Sequence, residues 1–385
     1  MHSISIVEKI MTEFADSTGL SKVAKSPRRY LWTDAFAVCN FLELYRQGKE
    51  ERWRQLAVRL VDQVHRILGR HRGDDPRTGW ISGLDDEAGR AHPTAGGLRI
   101  GKRLNERQPT DPFDDRLEWD RDGQYYHYLT RWMHALNRVS RSTAKGTFNF
   151  WALELAKAAH RGFVHVLPDG SKQMYWKMSI DLSYPLVPAM GQHDPLDGLI
   201  TYRQLQATAA EFSEAPADLS REIADLAALC KGKSWATQDP LGIGGLLCDA
   251  YKVLQLFTDH RFAESGLLND LLGAALWGLE VFRAGYSLRQ AADYRLAFRE
   301  LGLSIGLHAV ERIEALTGEK AETFPGEHPA HLQMARLGRH MPLCEAIESF
   351  WLEPRNRQSQ SWTAHEDINR VMLATSLAPD GYLGL

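Results

Sequence analysis

Four cysteines in 385 residues, Cys39, Cys230, Cys248 and Cys344, are too few and too widely spaced for a disulfide framework, and no C-x-x-C pair offers a zinc knuckle. They read as reduced thiols packed in apolar helices. Long apolar runs are missing too. The richest stretch, residues 267–282, is interrupted by Asp270 and Glu280, which excludes a membrane span there. The opening MHSISIVEKIMTEFADS carries Glu8, Lys9 and Glu13 where a signal peptide would be apolar, and it reads as a helix. Nor is there a charge imbalance. With 46 Lys and Arg against 49 Asp and Glu the net charge is −3, so no basic field invites nucleic acid or an anionic membrane. A soluble, cytoplasmic protein is expected. H-E-x-x-H, G-x-S-x-G, a phosphate loop and a dinucleotide fingerprint are all absent, so neither metal nor cofactor is expected. No break is long or polar enough for a linker, which predicts a single domain over 1–385. The oligomeric state is left open.

What the chain has in abundance is helical periodicity: about twelve runs place apolar residues at spacings of three and four. One segment departs from it. FVHVLPDGSKQMYWKM, residues 163–178, alternates on both sides of Pro168-Asp169-Gly170 and predicts a small β-hairpin. Six runs are rich in aromatic and small residues, among them YLWTDAFAVCNFLELY and DPLGIGGLLCDAYKVLQLF, and begin near residues 32, 120, 194, 239, 294 and 363. Between them lie helices with a conventional polar face, such as EERWRQLAVRLVDQVHRIL. Glycines at 198, 242, 245, 302 and 306 suit places where helix backbones approach closely.

Six inner helices, each paired with an outer one, resemble the six-hairpin (α/α)6 toroid superfamily of glycoside hydrolases, unsaturated uronyl hydrolases and N-acylglucosamine 2-epimerases. The resemblance implies an all-α toroid with a pocket at one end of the inner ring, lined by the inner-helix starts and the loops before them. It implies a small carbohydrate as substrate.

The stretch EWDRDGQYYHYLTRWMHAL, residues 118–136, holds more acid than one helix cap requires. Asp120 and Asp122 are therefore candidate catalytic residues. Trp119 and Tyr125 beside them are candidates for stacking on a sugar, whose C–H faces suit aromatic rings. Asp34, in the first turns of the apolar YLWTDAF helix, must be paired or wet, with Arg28 or Arg29 as the alternative to a pocket. The W-x-D of Trp32 and Asp34 resembles inner-helix starts of the unsaturated uronyl hydrolases, which implies an acid/base role for Asp34. His127, Arg131 and His134 form a polar stripe, with His127 facing substrate and His134 suited to an outer face. His193 and His365 sit at inner-helix starts as further catalytic candidates, with Trp362 nearby. Arg295 and Arg299 offer a fork for a substrate carboxylate or phosphate, or else pair with Glu300 and Asp293. Asp111, Asp194 and Asp239, each followed by Pro, read as N-caps, and Thr363 with Glu366 as a capping box. The segment 96–107, GGLRIGKRLNER, reads as a lid-like loop. Asp114-Asp115-x-x-Glu118 resembles the aspartate-rich motif of terpene cyclases, but it precedes its helix and no second metal motif follows.

The leading expectation is a glycoside hydrolase in which Asp34 and Asp120 act as acid and base, about 6.5 to 9.5 Å apart as inversion requires. The alternatives are a sugar epimerase using His193 and His365, and a non-catalytic toroid that binds a ligand or partner protein.

Overall fold

The computed structural model describes residues 2–21, 27–212, 218–258, 265–285, 288–320 and 329–385. Those residues form seventeen α-helices and two small antiparallel sheets, in two compact units: Ala15–Lys231, and Met1–Phe14 with Gly232–Leu385. No helix among them is long and apolar enough to cross a membrane.

In the unit Ala15–Lys231, helices Leu31–Gly48, Tyr126–Thr143 and Asp194–Ala209 pack side by side in chain order. Each also packs against the helix that follows it, Glu51–Leu68, Gly146–Phe163 or Ser220–Cys230. Burial separates the two kinds. Leu31–Gly48 is buried continuously from Leu31 to Leu44, with no polar face at all, whereas Glu51–Leu68 buries only Trp53, Ala57, Leu60, Val61, Val64, His65 and Leu68. That three-and-four spacing makes one stripe, so the second helix keeps an outer face in water.

His65 lies under this packing. Trp132 Nε1 donates to its Nε2 over 3.2 Å, and the Trp132 and Trp151 rings meet it edge-on. Burial lowers its pKa to about 3, so the ring stays neutral and its Nε2 remains an acceptor. An unfolded chain takes up this proton as pH falls through about 6.5, while the folded chain refuses it until far lower pH; stability is therefore lost on acidification across that window. His65→Gln keeps an acceptor without a titration. Between pH 7 and pH 5 the variant should lose about 2 kcal/mol less stability than the wild type, read from urea midpoints.

In the other unit, Pro240–Thr258 packs on Ala297–Glu319, which packs in turn on Glu366–Leu377, while Ser265–Gly285 packs on the first and Pro342–Leu352 on the second. The first two cross with their backbones almost touching. A Cβ on Gly244 would fall 2.0 Å from the Gly302 carbonyl oxygen, and one on Gly306 would fall 2.5 Å from Gly244 Cα. Gly302 and Gly306 are close-approach glycines as expected, but their partner is Gly244, whereas Gly245 faces open space.

The predicted hairpin is present but shorter. Val164–Val166 pairs with Lys172–Met174, while Lys177–Met178 leaves for a second sheet between Gln124–Tyr125 and Pro185–Val187. This second sheet explains a displaced helix start. Gln124–Tyr125 is held extended by its pairing, so the helix begins at Tyr126 and not near residue 120.

The segment 96–107 is stitched in place and is no lid. Leu98 and Ile100 are fully buried, Arg99 N–H donates to the Leu68 carbonyl over 2.9 Å, and Ile100 N–H donates to that of Gly123 over 2.9 Å.

Candidate functional site

The acidic stretch that opens residues 118–136 holds a chain break together. Asp114 caps the short helix Asp115–Asp120 by accepting from Arg116 and Leu117 N–H, and Asp120 ends that helix exposed to solvent. Buried Glu118 receives the Lys177 ammonium at 2.8 Å, and the same ammonium also donates to the Glu118 and Arg121 carbonyls. Asp122 is wholly buried. Its oxygens accept from Arg99, from Arg72 at 3.2 Å, and from Gly101 and Gly123 N–H at 3.0 and 3.1 Å. Neither Asp120 nor Asp122 therefore stands at the start of the inner helix.

Asp34 is also buried, accepting from Tyr30 N–H at 3.0 Å and from Arg29 at 3.3 Å. Arg29 is the partner that the sequence offered as the alternative to a pocket. Trp32 is buried too, packed on Phe36 and Tyr128.

A different pair of carboxylates, Asp194 and Asp197, is buried at the start of one helix. Asp194 is the first residue of its helix and its predicted capping role falls to His193, which makes no side-chain cap bond. Asp194 Oδ2 is instead buried with no hydrogen-bond partner, and a Cβ on Gly191 would fall only 2.4 Å from it. Burial pushes the Asp194 pKa up to about 8, and the charge of Asp197 one turn along adds to the shift; Arg131 opposes it. Near neutral pH this carboxyl is an acid with a proton to give. Asp197 holds Arg131, whose guanidinium lies 3.2 Å from each of its oxygens.

His127 Nδ1 lies 3.8 Å from Asp194 Oδ1. Burial lowers the His127 pKa to about 4, so at neutral pH it is an uncharged imidazole, yet 28% of the side chain still reaches solvent. Around it stand aromatic rings. Tyr125 lies 5.3 Å away, Tyr128 4.8 Å, and Trp176 is parallel to within 10° at 6.3 Å. Trp119 meets the Trp176 ring at 5.4 Å, and Tyr30 shares a 2.7 Å hydroxyl contact with Tyr128. His134, expected on an outer face, is buried and bonded to Gln204 at 3.0 Å.

Of the residues that cluster here, the sequence had offered His127, Tyr125 and Trp119 as candidates, but not Trp176 or Asp197, and Asp194 only as a cap. The signal was available. Asp194-x-x-Asp197 puts two carboxylates on one face of a helix start that is otherwise apolar, where one cap would suffice. Trp176 is brought in by the second sheet, since its neighbour Lys177 pairs with Tyr125.

The remaining candidates belong to the other unit. Arg295 is buried and forks onto Glu300, with contacts of 2.7, 2.8 and 3.2 Å, while its guanidinium stacks 3.6 Å from the Phe350 ring centre. The pairing alternative describes it. Arg299 pairs with Asp239 at 2.6 Å, and Asp239 also caps its helix by accepting from Leu241 N–H. Trp362 is buried against Trp351 and floors a cleft between Glu366, Arg370, Arg357 and Glu13, and exposed His365 meets Phe298 edge-on. Besides that of Asp194, two further predicted caps do not form. Asp111 starts no helix and accepts instead from Gln108 N–H, and Glu366 pairs with Arg370 at 2.6 Å instead of reaching back toward Thr363. No group of three His, Cys, Asp or Glu among the described residues is placed to hold a metal ion. Compared with known proteins, the sequence matches no family model and no curated protein.

Proposed function

We propose that the protein is a carbohydrate-active hydrolase on an (α/α)6 scaffold, with Asp194 as its general acid. The observation that carries the reading is the buried Asp194 carboxyl, its Oδ2 without a hydrogen-bond partner, 3.8 Å from His127 and beside a wall of aromatic rings, where burial favours the protonated acid and the neutral imidazole. Three inner helices in chain order, each with an outer partner, form the hairpin repeat that half of such a scaffold supplies. In the reaction Asp194 gives its proton to the glycosidic oxygen as the bond to the anomeric carbon breaks. Water adds its oxygen to that carbon, and the proton it loses returns to the Asp194–Asp197 pair, which shares the charge as a coupled unit. Burial first, and then the negative charge of Asp197, keep Asp194 protonated against the opposing charge of Arg131. Asp34 and Asp120 are not needed.

A second reading uses Asp194 and His127 for proton exchange at a sugar carbon, and the neutral His127 imidazole at 3.8 Å from Asp194 favours it as a base. Incubating the protein with a panel of free sugars and oligosaccharides in deuterium oxide, followed by NMR, separates the two. Hydrolysis predicts new reducing ends, and an isomerase predicts deuterium on carbon without cleavage. If neither appears with any sugar, both readings fall.

A further inference from the structure

We propose, resting on the carbohydrate reading above, that the substrate is an oligosaccharide and that Trp119 forms an outer subsite for a sugar unit beyond those at Asp194. A tryptophan that remains 56% exposed on a six-residue helix is an expense unless something covers it, and Phe113 and Leu117 beside it are exposed as well. Trp119 is not a stray ring. It touches Trp176 at 5.4 Å, and Trp176 in turn lies 5.1 Å from Tyr125 and parallel to His127. Exposure falls along the row, from Trp119 through the half-buried Trp176 to Tyr125 at 3%, so the track runs from solvent inward to the acid.

The spacing and the turns of the rings argue for the ligand class. Successive centres lie about one pyranose ring apart, and the ring planes rotate by 75° from Trp119 to Trp176 and by 39° from Trp176 to Tyr125. A flat polycyclic ligand cannot follow such a twist. A chain of sugars joined by rotatable linkages can, laying one C–H face on Trp119 and the next against the open side of Trp176, with buried Tyr125 backing the track. The supporting sheet fixes the track, because Gln124–Tyr125 and Lys177–Met178 are paired and the Lys177 ammonium is tied to Glu118, the neighbour of Trp119.

The test uses the full chain on an immobilised panel of defined mono-, di-, tri- and longer oligosaccharides, with titration of those retained. The wild type should bind trisaccharides and longer chains more tightly than disaccharides. Trp119→Ala should shrink the ratio of those affinities about tenfold, and Trp119→Tyr should restore most of it. Because the side chain is largely in solvent, the alanine variant should fold, and circular dichroism checks that it does. If the wild type binds short and long sugars alike, or if the alanine variant keeps the wild-type ratio, the subsite is overturned while the reading of Asp194 stands. If the wild type retains no sugar at all, the subsite and the carbohydrate reading fall together.

Discussion

Replacing Asp194 by Asn is expected to remove most turnover, by about 10²- to 10⁴-fold, while sugar binding persists, because the amide keeps the shape but has no proton to give. The same substitution should stabilise the protein, and more so as pH rises. The folded chain keeps the Asp194 proton up to about pH 8, while the unfolded chain releases it near 3.8. Between those values the folded state binds more protons, so wild-type stability falls with rising pH and levels off above the folded value. The Asn variant carries no such slope. Its advantage should therefore be small at pH 4 and reach the order of a few kcal/mol by pH 8.5, measured by urea denaturation at both. In the wild type kcat/KM should decline above about pH 8, as the acid is lost. An advantage that is equal at both pH values would mean that the carboxyl is not held protonated, and the mechanism would fail with it.

The second large effect concerns the crossing of Pro240–Thr258 with Ala297–Glu319. Gly244→Ala should cost at least about 3 kcal/mol, since the new methyl meets the Gly302 carbonyl, a backbone group that no rotamer change can move aside. Gly245→Ala is the matched control. Nothing lies within 4 Å of a Cβ there, so the substitution should be neutral or add up to about 1 kcal/mol through helix propensity. Comparing the two urea midpoints cancels composition and leaves only the crossing. Equal midpoints would show that the helices can part without cost.

The helices were legible from their apolar spacing, and each of the six aromatic-rich runs does hold a helix, five of them starting within three residues of the expected place. The displaced start at Tyr126 shows the limit. A two-residue strand leaves no alternation to read, so the pairing of Gln124–Tyr125 with Lys177–Met178 was invisible, and with it the arrival of Trp176. Asp34 and Asp122 were singled out because a carboxylate in apolar surroundings demands an explanation, but sequence cannot tell a partner from a pocket. Arg29 lies five residues before Asp34 and was nameable; Arg99 lies 23 before Asp122 and was not. Asp194-Pro195 reads locally as a cap, whereas what sets Asp194 apart is a buried Oδ2 without a hydrogen-bond partner, which only tertiary packing creates.

The division of the chain into units has a bearing on its birth. The segment Ala15–Lys231 is contiguous, so it can fold as it leaves the ribosome. Met1–Phe14 belongs with Gly232–Leu385 and meets its partners only after the intervening residues have been made, a wait of about ten to forty seconds at ordinary elongation rates. Throughout that interval Val7, Ile10, Met11 and Phe14, all buried in the finished protein, wait for the rest of their unit to be made.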